Sequence, residues 1–564
     1  MILIEEAESK FLGGSTSLFI SSNNFYPKLN EVICSLDIFK YSPKDRNYEI
    51  PLNTLSYVVN NLTDVDDIMF KFIKKEEKEE PKLVVNYKTT PFDYQLEGIK
   101  YGLKNNKWLL LDTQGLGKSL QLIYLAEELK AQKDIKHCLV ICGLNCLKMN
   151  WKKEIEKHSN LDSIIIGQYI DKYHRLKVGM IDDRVEFMKH PIKEFFLITN
   201  IETLRSKKFI DMVLKGPNKI DMIIFDECHK AKGYNTLSAE GLLKLKAPYM
   251  VASSGTLIMN NPLDAYIPLK WINKNPTGIT NYKKTYCNFD TRIIGKIDSF
   301  KNMDLLQDQI QNCSIRRTKD TVFNSDSKHK IPPKTIIDEY LDMDDSQEKF
   351  YLDIVNGVKN DYMKVNVNQA NILEMITRLR QALVLPSILT KEIQIPSVKI
   401  DRCIDLVEQI VSNGEKVVIF SNFKEPVYLL EKKLERFNPL VATGDIDDTI
   451  VSNQVKMFQE DDIHMVFIGT SSKIGTGITL NRATTSIFID CPFTYALCEQ
   501  CEDRIHRVNN THPVTIYYLW CNNSFDSRIQ KLVKTKMELS DYLVDKKVNK
   551  SNLIDILDSF VKEN

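Results

Sequence analysis

The sequence has almost no net charge, since 76 Lys and Arg residues are balanced by 75 Asp and Glu residues. A nucleic-acid partner therefore cannot be inferred from overall charge and has to be argued from local motifs. Apolar runs long enough to cross a bilayer are also missing, and Met1–Glu5 lacks a basic region followed by an apolar stretch. We expect no membrane partner, and a cytosolic location or, in a host with a nucleus, a nuclear one.

Proline and glycine are scarce as well, with 19 and 21 residues, and this composition excludes a largely low-complexity chain. Hydrophobic residues make up 43% and charged residues 27%, which is typical of a folded globular protein. A chain of 564 residues exceeds what one hydrophobic core supports, so we expect two or three domains.

The 12 cysteines lie mostly in apolar stretches, which is typical of reduced intracellular thiols. Cys138, Cys142 and Cys146 are evenly spaced, and Cys498 and Cys501 form a CxxC pair. A structural zinc site needs a second matching pair nearby, and none follows in the sequence. Buried thiols are the favoured interpretation, and a metal site is the alternative.

The charged run Lys74–Pro81 separates two differently patterned regions and indicates a linker or a solvated helix end. After it, short apolar segments alternate with helical patterns, which predicts parallel sheets covered by helices. The predicted strands of a first series are 108–111, 138–142, 195–199, 222–225 and 250–252, with helices at 116–129 and 147–157. A second series follows Pro332 and Pro333, with predicted strands at 416–420, 465–469, 485–490 and 514–520. The chain therefore reads as two α/β lobes in tandem.

A candidate phosphate-binding loop lies directly after the first of these strands and directly before a helical pattern. Gly115 and Gly117 allow a tight turn whose N–H groups face phosphate oxygens, and the following helix N-terminus favours negative charge. Lys118 would hold the β and γ phosphates, and Ser119 would hold Mg²⁺. The pattern departs from GxxxxGK[ST] at its first position, where Asp112 replaces Gly. The candidate nucleotide-binding residues of this loop are Asp112, Thr113, Gln114, Gly115, Leu116, Gly117, Lys118 and Ser119.

Two acidic residues, Asp226 and Glu227, end another apolar strand of the same lobe. Mg²⁺ prefers oxygen ligands, which suits Asp226, and hydrolysis needs a base or water-positioning group, which suits Glu227. The alternative is that the two acids only cap the next helix. The preceding phosphate loop weakens this alternative, because the ends of parallel strands meet at one edge of a sheet.

With these motifs in place, roughly residues 90–545 resemble the SNF2-like branch of superfamily 2 helicases. That branch has D-x-x-G-x-G-K-[ST] in its phosphate loop, which accounts for Asp112. The resemblance implies that Gln95, in Pro91–Gln95, reads the adenine edge and that Ile198–Leu204 contacts DNA. Further segments that resemble family motifs are Ser253–Thr256 with Asn260–Pro262, which couple hydrolysis to lobe movement, and Ile315–Arg317 and Pro332–Lys334, which lead out of the first lobe.

The second lobe carries the remaining motifs of that family. Ile474–Leu480, with Gly475, resembles motif V, and Gln500–Arg507 resembles motif VI. The resemblance implies that Arg504 and Arg507 stabilise charge on the transferred phosphoryl group, with Gln500 as a supporting polar contact. Two departures stand out: Cys228 replaces the common Ala of the acidic motif, and Val508–Asn510 stands where Ile-Gly-Gln is usual.

The resemblance also implies the domain organisation, namely two tandem RecA-like lobes of α/β class preceded by a small N-terminal α+β domain. We expect the N-terminal domain at 1–80, the lobes at 81–330 and 331–545, and a helical tail at 546–564. Glu31–Leu62 resembles the HARP-type module of annealing helicases, with aromatic residues alternating with basic ones as in surfaces that stack on bases. The alternative is an ordinary small domain whose tyrosines pack in its core.

The function implied is an ATP hydrolase that uses ATP and Mg²⁺ and translocates as a monomer on double-stranded or branched DNA. An annealing helicase or a fork remodeller in DNA repair, replication or recombination is the more specific expectation. One alternative is an RNA helicase or duplex-RNA translocase, and another is a scaffold that binds nucleic acid without hydrolysis. The candidate catalytic residues are Lys118, Asp226, Glu227, Arg504 and Arg507, with Ser119 and Asp226 as metal ligands.

Overall fold

A computed structural model gives the structure of the protein. It describes residues 2–8, 16–22, 26–36, 39–51, 54–62, 68–71, 80–143, 147–170, 172, 176–231, 234–255, 257–258, 262–275, 277–289, 297–323, 333–364, 369–390, 395–475, 478–507, 512–531 and 533–534. The chain divides into two compact units: Met1–Thr113 and Gly117–Arg317 lie in the first, and Gln114–Leu116 and Thr318–Tyr542 lie in the second. Most of the Lys74–Pro81 run and the whole of 546–564 lie outside the described residues.

The N-terminal part of the first unit is a small mixed sheet with two helices. Its elements are β1 (Ile2–Glu8), β2 (Thr16–Ser22), α1 (Pro27–Ser35), β3 (Lys40–Ser42), β4 (Asn47–Pro51), α2 (Leu55–Asn61) and β5 (Ile68–Lys71). The strand order is β3-β4-β2-β1-β5, antiparallel except for the β1–β5 pair. Ile2 and Ile4 of β1 and Leu18 and Ile20 of β2 are fully buried, so alternate residues of these strands form one apolar face.

The rest of the first unit is a lobe built on seven strands. Its elements are α3 (Asp93–Lys104), β6 (Lys107–Leu110), α4 (Lys118–Lys133), β7 (His137–Cys142), α5 (Leu147–His158), β8 (Ser163–Ile165), β9 (Gln168–Ile170), β10 (Leu176–Val178), α6 (Ile181–Met188), β11 (Phe196–Asn200), α7 (Lys207–Lys215), β12 (Ile220–Asp226), α8 (Leu237–Lys244), β13 (Tyr249–Ser253), α9 (Tyr266–Trp271), α10 (Ile279–Tyr286), β14 (Cys287–Phe289), β15 (Ile297–Phe300), α11 (Met303–Gln311) and β16 (Ser314–Ile315).

The main sheet of this lobe has the order β16-β6-β13-β12-β7-β11-β8, and all its neighbouring strands are parallel. The central strands are buried over nearly their whole length, as expected of parallel strands that helices cover on both faces. Two hairpins, β9–β10 and β14–β15, lie outside this sheet. In the same unit α2 of the N-terminal domain packs against α11.

The second unit is a lobe on six strands. Its elements are α12 (Lys319–Phe323), β17 (Lys334–Leu341), α13 (Asp345–Lys364), α14 (Gln369–Val384), α15 (Val398–Ser412), β18 (Lys416–Ser421), α16 (Lys424–Lys433), β19 (Leu440–Ala442), α17 (Asp448–Glu460), β20 (Val466–Thr470), α18 (Ser471–Ile474), β21 (Ala483–Phe488), α19 (Tyr495–Glu502) and β22 (Val514–Cys521). The order β17-β22-β21-β18-β20-β19 is parallel throughout.

The two faces of this second sheet carry separate hydrophobic cores. Val418 and Phe420 belong to one core, while the alternating Val417 and Ile419 belong to the other. On the first face the ring of Phe420 stacks on Phe488 with centroids 4.7 Å apart. Burial on both faces explains why β18 is apolar over most of its length rather than alternating.

The predicted fold class, two tandem RecA-like α/β lobes after a small α+β domain, is confirmed. The strands predicted in the two lobes and the two helices predicted in the first lobe are present, with ends that differ by a few residues, and the predicted helical tail at 546–564 lies outside the described residues. The domain boundaries stay predictions. Among the described residues, no helix combines the length and the apolar character that crossing a membrane requires.

Candidate active site

The carboxyl ends of three neighbouring strands of the first lobe meet at one edge of its sheet. In the strand register Leu110 of β6 pairs with Ser253 of β13, and Ser253 pairs with Asp226 of β12. The phosphate loop that follows Leu110 and the acidic pair at the end of β12 therefore emerge from the same edge. This is the arrangement that the order of the two motifs predicts.

The loop between β6 and α4 has the backbone that its glycines require. Gly115 has φ +84° and Gly117 has φ +71°, values in the left-handed region that favours glycine. A Cβ on Gly117 would lie 2.4 Å from Nε2 of Gln95, so a larger residue at this position would displace the Gln95 amide. Leu116 is fully buried and Gln114 is buried, while Ser119 lies in the first turn of α4.

Lys118 is buried, and its ammonium lies within the loop. Nζ donates to the carbonyl oxygens of Asp112 at 2.9 Å and Thr113 at 3.3 Å. A cation whose nearest partners are neutral carbonyls has Coulomb energy to gain from an anion placed at the same loop. Its position therefore suits the phosphate-binding role predicted from the sequence.

Asp112 is fully buried and acts on the loop through an ion pair. Its Oδ2 accepts from Nη2 of Arg317 at 2.7 Å and from Nε2 of Gln121 at 2.9 Å, and its Oδ1 accepts from Nε of Arg317 at 3.0 Å. Arg317 also donates to the backbone carbonyl of Tyr94 and lies over its ring. The Asp112 carboxylate thus anchors the loop to α4 and to the segment after β16. From the sequence, Asp112 was predicted to be a nucleotide ligand. In the structure its carboxylate instead accepts hydrogen bonds from Arg317 and Gln121.

Gln95 is buried beside the same loop. Its Oε1 accepts from the backbone N–H of Phe92 at 2.9 Å and so caps α3, and its Nε2 donates to the Tyr94 hydroxyl at 3.3 Å. The amide adjoins Gly117, so the helix cap and the phosphate loop meet at this residue. Its predicted reading of adenine stays a prediction.

The Asp226 carboxylate is held by two side-chain donors. Nε1 of Trp151 donates to Oδ2 at 2.9 Å, and the Ser253 hydroxyl donates to Oδ1 at 2.8 Å. Burial raises the pKa of Asp226, and the neighbouring Glu227 carboxylate raises it further. The two hydrogen bonds and the Lys118 ammonium act in the opposite direction. Because burial disfavours the charged form, a divalent cation at this carboxylate would offset the cost of ionising it.

Glu227 has φ +52°, an uncommon backbone conformation for a residue other than glycine. Its Oε2 lies 3.1 Å from Nδ1 of the buried His229, and the same nitrogen lies 3.0 Å from the Ser254 hydroxyl. His229 therefore connects the acidic motif to the segment that begins at Ser253. Strained backbone of this kind costs about 1–3 kcal/mol and is common at functional sites.

In the second unit, the motif V and motif VI segments pack together. A Cβ on Gly475 would lie 2.8 Å from Sγ of Cys501, which shows how closely α18 approaches α19. Gln500 is buried, and its carbonyl accepts from Nε of Arg504 at 2.8 Å. Thr476 and Gly477 of motif V, and the unusual Val508–Asn510, lie outside the described residues.

Arg504 and Arg507 both donate to the backbone of Ile478, within motif V. The Ile478 carbonyl accepts from Nη1 of Arg504 at 2.9 Å and from Nη2 of Arg507 at 2.9 Å. Arg507 also donates to the Thr479 hydroxyl at 2.7 Å. Arg504 is 7% exposed and Arg507 is more exposed, so Arg507 is the more accessible of the two.

The residues at the first-lobe sheet edge fit a magnesium triphosphate better than a protein-only metal centre. Among the described side chains, no group of three or more His, Cys, Asp and Glu residues is placed to hold a metal ion. Mg²⁺ is usually held by one or two carboxylates together with substrate phosphates and water, which suits Asp226 beside the phosphate loop. The buried hydroxyl of Thr113 has no hydrogen-bond partner in the described structure, which also fits a site built for a polar ligand.

Of the eleven cysteines that the structure describes, ten are buried and Cys34 is exposed. Cys138 and Cys142 are fully buried in β7, and Cys498 and Cys501 are buried in α19. Burial raises the pKa values of Cys138 and Cys501. Cys146 lies outside the described residues.

The predicted DNA-contacting segment Ile198–Leu204 lies beside two basic side chains, the buried Lys148 and the partly buried Arg184. Arg184 Nη1 donates to Oδ1 of Asn200 at 2.7 Å. Burial, and then the charge of Arg184, lowers the pKa of Lys148 to about 8. An approaching phosphate would relieve this repulsion. Asn260 and Asn261, part of the predicted coupling segment, lie outside the described residues.

The tyrosines of the N-terminal domain are not core residues. Tyr41 is 46% exposed, and its ring lies 4.9 Å from that of the half-buried Tyr48. Tyr48 also contacts Phe39, with ring centroids 5.8 Å apart. The buried side chains of this domain are largely aliphatic, so the alternative of tyrosines packed in the core does not describe this hairpin.

Two partners of the site were missed as functional residues by sequence reasoning. Trp151 lies at core-like spacing in an amphipathic helix, so nothing marks it as the donor to Asp226. Arg317 was placed only in a segment that leads out of the first lobe. Its pairing with Asp112 spans more than two hundred residues, and no local pattern encodes such a contact.

Comparisons with known proteins agree with these motifs. Residues 94–388 match the SNF2-related domain, and residues 398–509 match the helicase conserved C-terminal domain. An uncharacterized ATP-dependent helicase of Mycoplasma genitalium is 24% identical over 461 residues, which are 79% of this chain and 41% of that protein. The ATP-dependent DNA helicase DDM1 of Arabidopsis thaliana is 25% identical over 487 residues, which are 80% of this chain and 61% of that protein.

Among solved structures, the SWI2/SNF2 ATPase core of Sulfolobus solfataricus in complex with dsDNA is similar over 82% of this chain and 95% of that chain. The sequence identity is 22% and the TM-score is 0.37. The chain spans about half the length of the curated relatives it matches.

Proposed function

Because this chain belongs to the family of the SNF2-related domain, which matches residues 94–388, we propose that it hydrolyses ATP to translocate on double-stranded DNA. The observation that carries the proposal is the shared sheet edge of the phosphate loop and the acidic pair. Lys118 and Asp226 are close enough for the lysine to lower the carboxyl pKa. A cation and a carboxylate at one loop are what a magnesium triphosphate requires.

The residues of the first lobe have separate tasks in this proposal. Lys118 binds the β and γ phosphates, and the N–H groups of the glycine loop bind the remaining oxygens. Ser119 and Asp226 would hold Mg²⁺, which would neutralise charge on the phosphates. Glu227 orients the attacking water, and the carboxylate is placed for this by its backbone conformation and by His229.

The residues of the second lobe complete the reaction. Arg504 and Arg507 stabilise charge on the transferred phosphoryl group, and contacts of this kind raise turnover by about 10³–10⁵. To do so they exchange the Ile478 carbonyl for phosphate oxygens. Gln500 and Gly475 position the arginines. The backbone carbonyl of Gln500 accepts from Arg504, and Gly475 allows α18 to approach α19 closely.

The DNA partner is proposed to be held through its backbone. Lys148 and Arg184 lie beside the Ile198–Leu204 segment, and such contacts are independent of sequence and sensitive to salt. The exposed Tyr41 beside Lys40 and Lys44 offers a stacking and phosphate surface on the N-terminal domain. This surface supports a preference for branched or partly single-stranded DNA, and with it a fork-remodelling or annealing role in repair.

Two assays on the purified chain test the proposal. Triplex displacement detects tracking along a duplex, and ATP hydrolysis is compared with duplex DNA, forked DNA and duplex RNA. We expect displacement that needs ATP, and stimulation by DNA whatever its sequence. Stimulation by RNA alone would instead establish an RNA translocase, and nucleotide binding without turnover would establish a scaffold.

The Glu227→Gln variant tests the catalytic assignment separately. The amide keeps the size of the side chain but cannot act as a base, so we expect ATP binding close to wild type and turnover reduced at least a hundredfold. Normal turnover in this variant would remove Glu227 from the catalytic role.

A further inference from the structure

The segment that leaves the first unit is joined to the phosphate loop by a continuous hydrogen-bond ladder. The N–H groups of Leu109, Leu111 and Thr113 donate to the carbonyls of Cys313, Ile315 and Arg317 at 2.9, 2.8 and 3.0 Å, respectively. The ladder thus runs beyond β16 and β6 and into the first residues of the loop. Backbone pairing of this kind prevents the exit segment from moving independently of the loop.

Two arginines of this segment hold further parts of the first-lobe site. Arg317 makes the buried, bidentate pair with Asp112. Arg316 Nη1 lies 3.4 Å from the carbonyl of Gly255, in the segment predicted to couple hydrolysis to movement. The last residues of the first unit therefore contact both the phosphate loop and the segment that contains Gly255.

Two residues after Arg317, Lys319 makes a comparable anchor in the second unit. Its ammonium pairs with the Asp503 carboxylate and donates to the His506 carbonyl at 2.9 Å. Asp503 is 5% exposed at the side chain and Lys319 is 16% exposed, so this pair is largely shielded from solvent. The turn that Lys319 holds is the one that carries Arg504 and Arg507.

We propose that Arg317–Thr318–Lys319 is a tether through which the phosphate loop and the arginine-bearing turn position one another, with Arg317 and Lys319 as positioning residues. The inference rests on the proposed function, since it assigns a route by which bound ATP directs the arginines. The Cα atoms of residues two apart are separated by at most about 7 Å, so the stretch has little slack. A shift of the loop that nucleotide binding favours is passed to the turn through this stretch.

Lengthening the tether distinguishes a role in coupling the phosphate loop to the arginine-bearing turn from a role in local stability. Two glycines inserted after Thr318 keep Arg317, Lys319 and all their partners but lengthen the connection. We expect kcat for DNA-stimulated ATP hydrolysis to fall at least tenfold. The Kd for ATP, measured by fluorescent-nucleotide titration, stays within a few-fold, because the phosphate loop itself is unchanged.

The matched control places the same two glycines after Gly414, in an exposed turn between α15 and β18 where a side chain would meet open space. We expect this variant to hydrolyse ATP like wild type. Thermal unfolding of both insertion variants within about 2 °C of wild type shows that neither has lost its fold.

Substitution of Lys319 gives an independent test. Lys319→Ala is expected to lower kcat at least tenfold with little change in the Kd for ATP. Lys319→Arg, which keeps a cation and several donors, is expected to restore most of the turnover. A lysine that only stabilised the second lobe would instead lower the unfolding temperature without a selective loss of kcat.

The outcomes separate the tether from the proposed function. If the variant with two glycines after Thr318 hydrolyses ATP as fast as wild type, the tether is overturned and the proposed ATPase function still stands. A wild-type chain that does not hydrolyse ATP would overturn the proposed function, and the tether with it. A loss of kcat in the Thr318 insertion but not in the Gly414 insertion supports both.

Discussion

The buried Asp112–Arg317 pair makes a sharp prediction, because one substitution leaves a fully buried carboxylate without its cation. Arg317→Met keeps most of the side-chain volume and removes the charge, the two side-chain hydrogen bonds to Asp112, the one to Gln121 and the one to the Tyr94 carbonyl. Breaking a buried pair from one side costs about 3–5 kcal/mol. Asp112 keeps two donors, Gln121 Nε2 and the backbone N–H of residue 317, which places the expected cost near the lower end, about 3 kcal/mol.

Thermal unfolding of the full chain measures this cost. For a unit of this size about 2 °C is lost per kcal/mol, so we expect the transition of the first unit to fall by about 6 °C. Arg378→Met is the matched control, because Arg378 is 46% exposed in an ion pair with Glu374 of the same helix. A pair of that kind contributes about 0.3–0.5 kcal/mol, and its loss should move the transition by no more than about 1 °C.

The double variant Asp112→Leu with Arg317→Met completes the cycle. Removing both charges leaves no unpaired ion, so we expect the double variant to be more stable than Arg317→Met alone. If Arg317→Met unfolds within about 1 °C of wild type, as the Arg378 control should, the pair does not anchor the phosphate loop and the reasoning is refuted.

Two further predictions concern the phosphate loop and the acidic pair. Gly117→Ala should weaken ATP binding in a nucleotide titration, because its Cβ would meet Gln95 Nε2 at 2.4 Å and the Gln95 amide beside the loop would have to shift. Gly414→Ala has a similar φ but open space and should bind normally, and equal affinities of the two variants would contradict the close approach. Trp151→Phe removes a hydrogen bond that lowers the pKa of Asp226. Since the carboxylate form binds Mg²⁺, the acid limb of kcat/KM for ATP should move to higher pH, and an unchanged or lower limb would contradict the assignment.

Local patterns were sufficient to predict most of the fold. The strands β7 and β18 are apolar over nearly their whole length, so each reads as a buried parallel strand, and the helices between them follow from the alternation. The edge strand β17 was not predicted, because its residues are largely exposed and its sequence does not have the apolar run of a central strand. The short hairpins outside the main sheet were missed for the same reason.

The candidate site was predicted where a motif is contiguous and missed where it depends on distant contacts. The loop around Lys118 and the acidic pair at Asp226 follow from residues next to each other in the sequence. The partners Trp151, Arg317 and Lys319 reach the site only through the fold, and each has an ordinary local context. Motif resemblance located Arg316 and Arg317 but assigned them no contacts.

The central claim of the proposed function is that Arg504 and Arg507 stabilise charge on the phosphoryl group of an ATP molecule bound by Lys118. The most direct test is the Arg507→Ala variant, because Arg507 is the more accessible of the two candidates and belongs to the other unit. In the presence of duplex DNA we predict an ATP Kd within a few-fold of wild type and turnover reduced about 10³-fold or more. Wild-type turnover in Arg507→Ala, with Lys118→Ala inactive as a reference, would contradict the claim.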